Sequence, residues 1–309
     1  MGGFIIPFFE NGGLFMKNYK KLTSIVLSLV LVFALFTPIY ANAKMPDVIC
    51  AVIDTGLDIT HPVFADRIVK PMNFTGDSSR TDVTDYHGHG THIAGVIANN
   101  TKEVNVKIMP LKVVSPTTGS SVANLIKAIN YAVDNGADVI NISLETSKDR
   151  VSYALTDAIY YAKDKGCVIV ASAGNNGKGV SAPACLDGVI AVGAVGYRHG
   201  VYYKASFSNY DENTQILYAR GVSVLSAYPN NMSGITGTQG EKYAYKSGTS
   251  IASAFVSSTA CLLKANGSKS VYDELYALSY RQVPNAKAIL GYDLLLDYNC
   301  KETAEAERK

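Results

Sequence analysis

The 309-residue chain lacks a dominant charge, since 28 Lys and Arg stand against 26 Asp and Glu. It has no basic stripe and no charge run beyond the short tail from Lys301 to Lys309, so nothing in it suits a nucleic-acid partner. Its five cysteines are few and odd in number, which excludes a fully paired disulfide framework. Cys50, Cys167 and Cys261 fall in or beside apolar segments and read as small buried thiols. Cys185 and Cys300 lie in loop or terminal sequence and bond only if the fold makes them adjacent.

No apolar run reaches the roughly 20 residues of a membrane-spanning helix. The run from Ile25 to Phe36 follows Lys17, Lys20 and Lys21 and precedes Pro38 and Ala41-Asn42-Ala43, the charged, apolar and small-residue regions of a secretory signal. Residues 1–43 are therefore read as an N-terminal extension plus signal, with Met16 as its natural start and cleavage after Ala43. A secreted protein is expected; an uncleaved anchor that holds it at the membrane is the alternative. Cleavage removes three lysines and one glutamate, leaving 25 basic and 25 acidic residues in 44–309, ample length for one monomeric domain.

Three separated segments carry groups that chemistry joins. Val52-Ile53-Asp54-Thr55-Gly56 offers a carboxylate, His87-Gly88-His89-Gly90-Thr91-His92 an imidazole, and Ser247-Gly248-Thr249-Ser250-Ile251-Ala252-Ser253 a hydroxyl. A serine hydroxyl holds almost no alkoxide at neutral pH, so it attacks a carbonyl only when a base removes its proton. His89 is the candidate base. An acid on its other ring nitrogen, Asp54, fixes the tautomer and stabilises the imidazolium. A fourth segment, Ala171-Ser172-Ala173-Gly174-Asn175-Asn176-Gly177, follows the apolar run Val168-Ile169-Val170.

With Asp, His and Ser in that chain order, the sequence resembles the subtilisin-like serine protease family. The resemblance implies a serine endopeptidase that acts on protein or peptide through an acyl-enzyme, without cofactor. It implies that Asn175 donates its side-chain amide to the tetrahedral oxyanion, beside the backbone N–H of Ser250. A catalytically idle binding or regulatory module is the alternative, although no triad residue is missing. The bland readings fail on further absences. An aspartic protease needs a second Asp-Thr/Ser-Gly, and none exists. His87, His89 and His92 lack the Glu of a His-Glu-x-x-His zinc motif, so no metal is expected.

Continuous apolar runs at Val48 to Ile53, Val106 to Val114, Val139 to Ser143, Val168 to Ser172 and Val189 to Val195 read as buried parallel strands. Helical patterns lie between them, one with Val122, Leu125, Ile126, Ile129 and Val133 ended by Gly136, another from Tyr153 to Lys165 ended by Gly166. His89 and Ser250 begin apolar helical stretches. The expected fold is α/β, a subtilisin-like three-layer arrangement with a mostly parallel central sheet and helices on both faces.

The resemblance also exposes departures. Only Lys44 to Asp47 separate the expected cut from the first strand, so no inhibitory pro-region is expected, and a dedicated peptide-processing protease that folds unaided would explain this. His61-Pro62-Val63-Phe64 lacks the aspartate of the family's tight calcium site, and the short interval from His89 to Lys112 leaves little room for its loop. Ala254 stands where proline is usual. Substrate is expected as an added strand beside Thr118-Gly119-Ser120 and Ser143-Leu144-Glu145. Glu145 replaces a common glycine near the pocket for the residue preceding the scissile bond; it either favours a basic residue there or is a solvated rim glutamate. The stretch from Tyr228 to Tyr245 reads as an inserted surface hairpin.

Overall fold

A computed structural model describes residues 47–279, apart from 200 and 239. The signal segment, Cys300 and the charged tail lie outside the described residues.

Strand β1 (Val48–Asp54) explains why its sequence does not alternate. Val48, Cys50 and Val52 enter one core while Ala51 and Ile53 enter a second, so successive side chains point into apolar surroundings on both faces. The remaining strands are β2 (Met72–Asn73), β3 (Val106–Lys112), β4 (Val114–Ser115), β5 (Gly119–Ser120), β6 (Val139–Ile142), β7 (Val168–Ser172), β8 (Val189–Arg198), β9 (Val201–Lys204), β10 (Ile216–Arg220), β11 (Val224–Tyr228), β12 (Ile235–Thr236) and β13 (Lys242–Lys246). The main sheet runs β10-β8-β7-β6-β1-β3-β2 in parallel pairs, and β9 adds antiparallel to β8.

Helices α1 (His89–Asn100), α4 (Thr249–Ala265) and α5 (Val271–Leu278) share the core of Cys50 and Val52. Helices α2 (Val122–Asp134) and α3 (Tyr153–Asp164) share the core of Ala51 and Ile53. These are the three expected layers. Ser121 and Ser152 cap α2 and α3 by accepting from the N–H of Asn124 and Leu155, and left-handed Gly136 and Gly166 follow their ends. Helix α4 is buried continuously from Thr249 to Cys261, which accounts for its lack of a polar face.

From β1 the chain fills β3 and β2 on one side, then β6, β7 and β8 on the other. Such a switch opens a crevice beyond the carboxyl ends of the strands, between β1 and β6. One expectation needs revision. The run from Val106 to Val114 breaks after Lys112, and Val114 opens the small β4–β5 hairpin instead. The stretch from Tyr228 to Tyr245 is hairpin-like as expected: β11 and β13 pair antiparallel from Val224↔Lys246 to Tyr228↔Lys242, and β12, within the connection, pairs antiparallel with β13.

Candidate active site

Strand β1 ends at the crevice with Asp54, whose side chain is buried. Its Oδ1 accepts from the backbone N–H of Thr55 at 2.7 Å and from His89 Nδ1 at 2.7 Å. Oδ2 is buried with no hydrogen-bond partner among the described residues.

The helix that carries His89 comes this close because Gly90 has no side chain. A Cβ there would lie 2.1 Å from the Gly56 carbonyl oxygen and 3.1 Å from Asp54 Cβ. The start of α1 is held by Asp85, which the sequence analysis did not identify. Its carboxylate accepts from the N–H groups of His87, Gly88 and Thr91 and from the hydroxyls of Thr91 and Thr55. Burial alone would raise this acid, but those donors together outweigh it and hold the carboxyl below the usual range. An acidic residue a few positions before an apolar helix is the capping signal that could have found it.

His89 keeps 21% of its side chain exposed. Burial works to lower its pKa, yet the charge and hydrogen bond of Asp54, with the charge of Asp85, raise it above the ordinary value of 6.5 overall.

Ser250, in the first turn of α4, is 7% exposed, and its hydroxyl donates to the Ser143 carbonyl at 3.1 Å. Ile53 and Ile142 are register partners on β1 and β6, so the next residues, Asp54 and Ser143, lie side by side at the strand spacing of about 4.8 Å. The serine is thus brought to the carboxylate–imidazole pair across one strand, with its proton directed at a carbonyl and not at the ring. A polar ladder fixes this placement. Ser143 Oγ accepts from Asn141 Nδ2 at 2.8 Å and meets Ser253 Oγ at 3.0 Å, while Ser257 Oγ donates to Asn141 Oδ1 at 2.9 Å. Asn141, Ser253 and Ser257 escaped the sequence analysis because each sits inside an apolar run.

Asn175 follows β7, and its Oδ1 accepts from the N–H of Thr249 at 2.8 Å and from its hydroxyl at 3.1 Å. That orientation leaves the amide NH2 to meet a ligand. A Cβ built on Gly248 would sit 3.9 Å from Asn175 Nδ2 and 3.8 Å from Ser250 N, so both donors border one small volume at the start of α4. Here the helix also presents unpaired N–H groups and its positive end.

The segments expected to line the substrate have different characters. Thr118, Gly119 and Ser120 are exposed, with Gly119 and Ser120 forming β5 against β4. Ser143 is buried in the ladder, Leu144 is half-buried, and Glu145 is exposed.

His92 faces away from this site, its Nε2 bonded to the carbonyls of Val224 at 3.1 Å and Ala244 at 3.0 Å. Among the described residues no three His, Cys, Asp or Glu side chains group as metal ligands. Helix α1 runs unbroken from His89 to Asn100, and α4 continues through Ala254. Cys50, Cys167 and Cys261 are buried free thiols, and burial pushes Cys167 up to about 11. Cys185 is also a free thiol.

A buried carboxylate bonded to an imidazole, beside a serine at a helix start and two convergent amide donors, makes a hydrolase site of the serine-protease type on an α/β fold. Residues 46–290 match the Subtilase family, and the chain belongs to it: it is a subtilisin-like serine endopeptidase. It is 38% identical over 230 residues to a thermophilic serine proteinase of Bacillus sp. (strain AK1), covering 72% of this chain and 53% of that protein. The chain thus spans about half the length of that relative. It is 33% identical over 240 residues to the major intracellular serine protease of Bacillus subtilis (strain 168), covering 72% and 70%. Among solved structures it resembles a lanthipeptide protease, with a TM-score of 0.69, 26% identity and coverage of 83% of this chain and 87% of that one. It also resembles fervidolysin from Fervidobacterium pennivorans, with a TM-score of 0.71, 27% identity and coverage of 82% and 42%. Among the described residues no helix is long and apolar enough to cross a membrane.

Proposed function

We propose that Ser250 is the nucleophile, His89 the general base and acid, Asp54 the acid that orients it, and Asn175 with the Ser250 N–H the oxyanion donors. The observation that carries this assignment is the 2.7 Å bond between Asp54 and His89, one strand spacing from the residue to which Ser250 is bonded. Rotation about the Ser250 side chain redirects its O–H from the Ser143 carbonyl to Nε2 of His89, which takes the proton as the serine oxygen attacks the substrate carbonyl. The new oxyanion then lies between Asn175 Nδ2 and the Ser250 N–H. Imidazolium then protonates the leaving amine, and water, activated by the same ring, releases the acyl group.

The structural likeness to a lanthipeptide protease supports a role in processing a peptide precursor rather than in bulk degradation. The sequence from Lys17 to Ala43 supports export of the enzyme, with action outside the cell. A fluorophosphonate probe is expected to label the protein at Ser250, and Ser250→Ala should abolish labelling and peptide hydrolysis together. Incubation with a leader-bearing precursor should give one cut, while casein stays largely intact under the same conditions. Labelling that survives Ser250→Ala would refute the nucleophile assignment, and casein digestion at a rate equal to precursor cleavage would refute the processing role.

A further inference from the structure

The segment from Ser143 to Glu145 runs beside the loop from Ala173 to Ala182, to which the Ser181–Glu145 hydrogen bond joins it. Beyond Glu145, Thr146 and Ala182 exchange backbone hydrogen bonds of 2.8 and 3.1 Å. At the other end are the Ser143 carbonyl that holds Ser250 and the side chain of Asn175.

The Glu145 carboxylate reaches across to this loop. A Cβ added to Gly174 would be 2.4 Å from Glu145 Oε2, so the carboxylate rests on the backbone next to Asn175, whose Cα is about 3.8 Å further along the chain. Gly174 has φ +110, and only a residue without a side chain accepts both that conformation and this approach. The carboxylate is also held in place. Fully buried Asn209 donates from Nδ2 to Gly179 O at 3.1 Å and to Ser181 Oγ at 3.3 Å, and the Ser181 hydroxyl donates to Glu145 Oε2 at 3.0 Å. Its charge has no cationic partner: among the described residues no Lys or Arg pairs with Glu145, and nearby Lys148 is paired with Asp211 at 3.2 Å.

We propose that Glu145, positioned by Ser181 and Asn209, selects lysine or arginine as the substrate residue that precedes the scissile bond. The inference rests on the protease assignment above and adds the substrate class. An exposed anion that is anchored at a fixed position beside the oxyanion donors binds a long cationic side chain that reaches it and disfavours an acidic one; a glutamate without such anchoring would discriminate less.

Paired peptides that differ only in Arg, Leu or Glu at this position test it. The wild-type protein is expected to prefer Arg over Leu at least tenfold in kcat/KM and to reject Glu. Glu145→Gln keeps the side-chain volume and an acceptor for Ser181 but removes the charge, so the Arg-to-Leu ratio should collapse toward one. Glu145→Ala separates charge from space, since a purely steric role would raise Leu cleavage in this variant and leave the ratio unaltered in the Gln variant. A ratio of one in the wild type, or one that Glu145→Gln does not change, overturns the proposal. Benzamidine gives a readout independent of Ser250 chemistry. It should bind the Ser250→Ala protein and weaken at least tenfold when Glu145→Gln is added; equal binding to both overturns the inference. Absence of fluorophosphonate labelling in the wild type would instead overturn the protease assignment.

Discussion

His89 accepts a proton only in its neutral form, and Asp54 and Asp85 raise its pKa above 6.5. Activity of the free enzyme should therefore fall as pH drops through a value above 6.5, about tenfold per unit on the acid limb of log kcat/KM against pH. Asp54→Asn removes the main attraction while burial remains, so the limb should move to lower pH. The rate at its plateau should drop by about 10⁴, because the ring is no longer held in the required tautomer. A variant whose acid limb stays in place would show that Asp54 does not set the charge of His89. The Asp54–His89 pairing was legible in sequence because both motifs are local. Asp85 was not read as a functional residue, since its worth lies in donors that only the folded turn gathers around it.

Elements, in turn, hold these residues in place. Helix α1 begins at the site because Asp85 collects its first N–H groups and Gly90 lets it lie on β1. Asp85→Ala leaves several buried donors unsatisfied and should destabilise the protein by about 3 kcal/mol, read from denaturant midpoints. It should also lower kcat through a loosened His89, whereas Asp85→Asn, which retains an acceptor, should cost clearly less on both counts. Equal stability of the Ala variant and wild type would show that the turn stands without its cap. Helix α4 depends instead on the ladder of Asn141, Ser143, Ser253 and Ser257. These side chains sit in segments whose apolar runs predicted a strand and a helix correctly, and the runs concealed that the two share a polar seam. Periodicity reports which face is buried, not which polar atoms meet there.

For the molecule as a whole, the small sheet of β11, β12 and β13 is tied to α1 through neutral His92, which donates one N–H toward the carbonyls of Val224 and Ala244. Burial, only partly offset by those carbonyls, lowers its pKa to about 4. Between pH 6.5 and 4 the unfolded chain takes up this proton and the folded chain does not. Stability should thus decline as pH falls through that window, by up to about 3 kcal/mol from this group, with no further loss below it. His92→Gln keeps a donor and does not titrate, so its urea midpoint should vary less between pH 7 and pH 5 than that of the wild type. The same slope in both proteins would place the acid sensitivity elsewhere.

Local pattern by itself gave five strands of the parallel sheet, their burial on both faces and the helices between them, and it singled out Asp54, His89 and Ser250 as candidates, because side-chain period and short motifs depend on near neighbours along the chain; Asn175 came from the family resemblance. It left Glu145 between two roles and read the hairpin of β11 and β13 without the third strand, β12, that pairs with it. Only the tertiary structure decided that the Glu145 carboxylate sits against Gly174 under Ser181, that Ser250 rests on Ser143, and that Asp85 closes the turn before His89. These contacts join residues far apart in sequence, and their energies depend on distances that appear only when the crevice between β1 and β6 is formed.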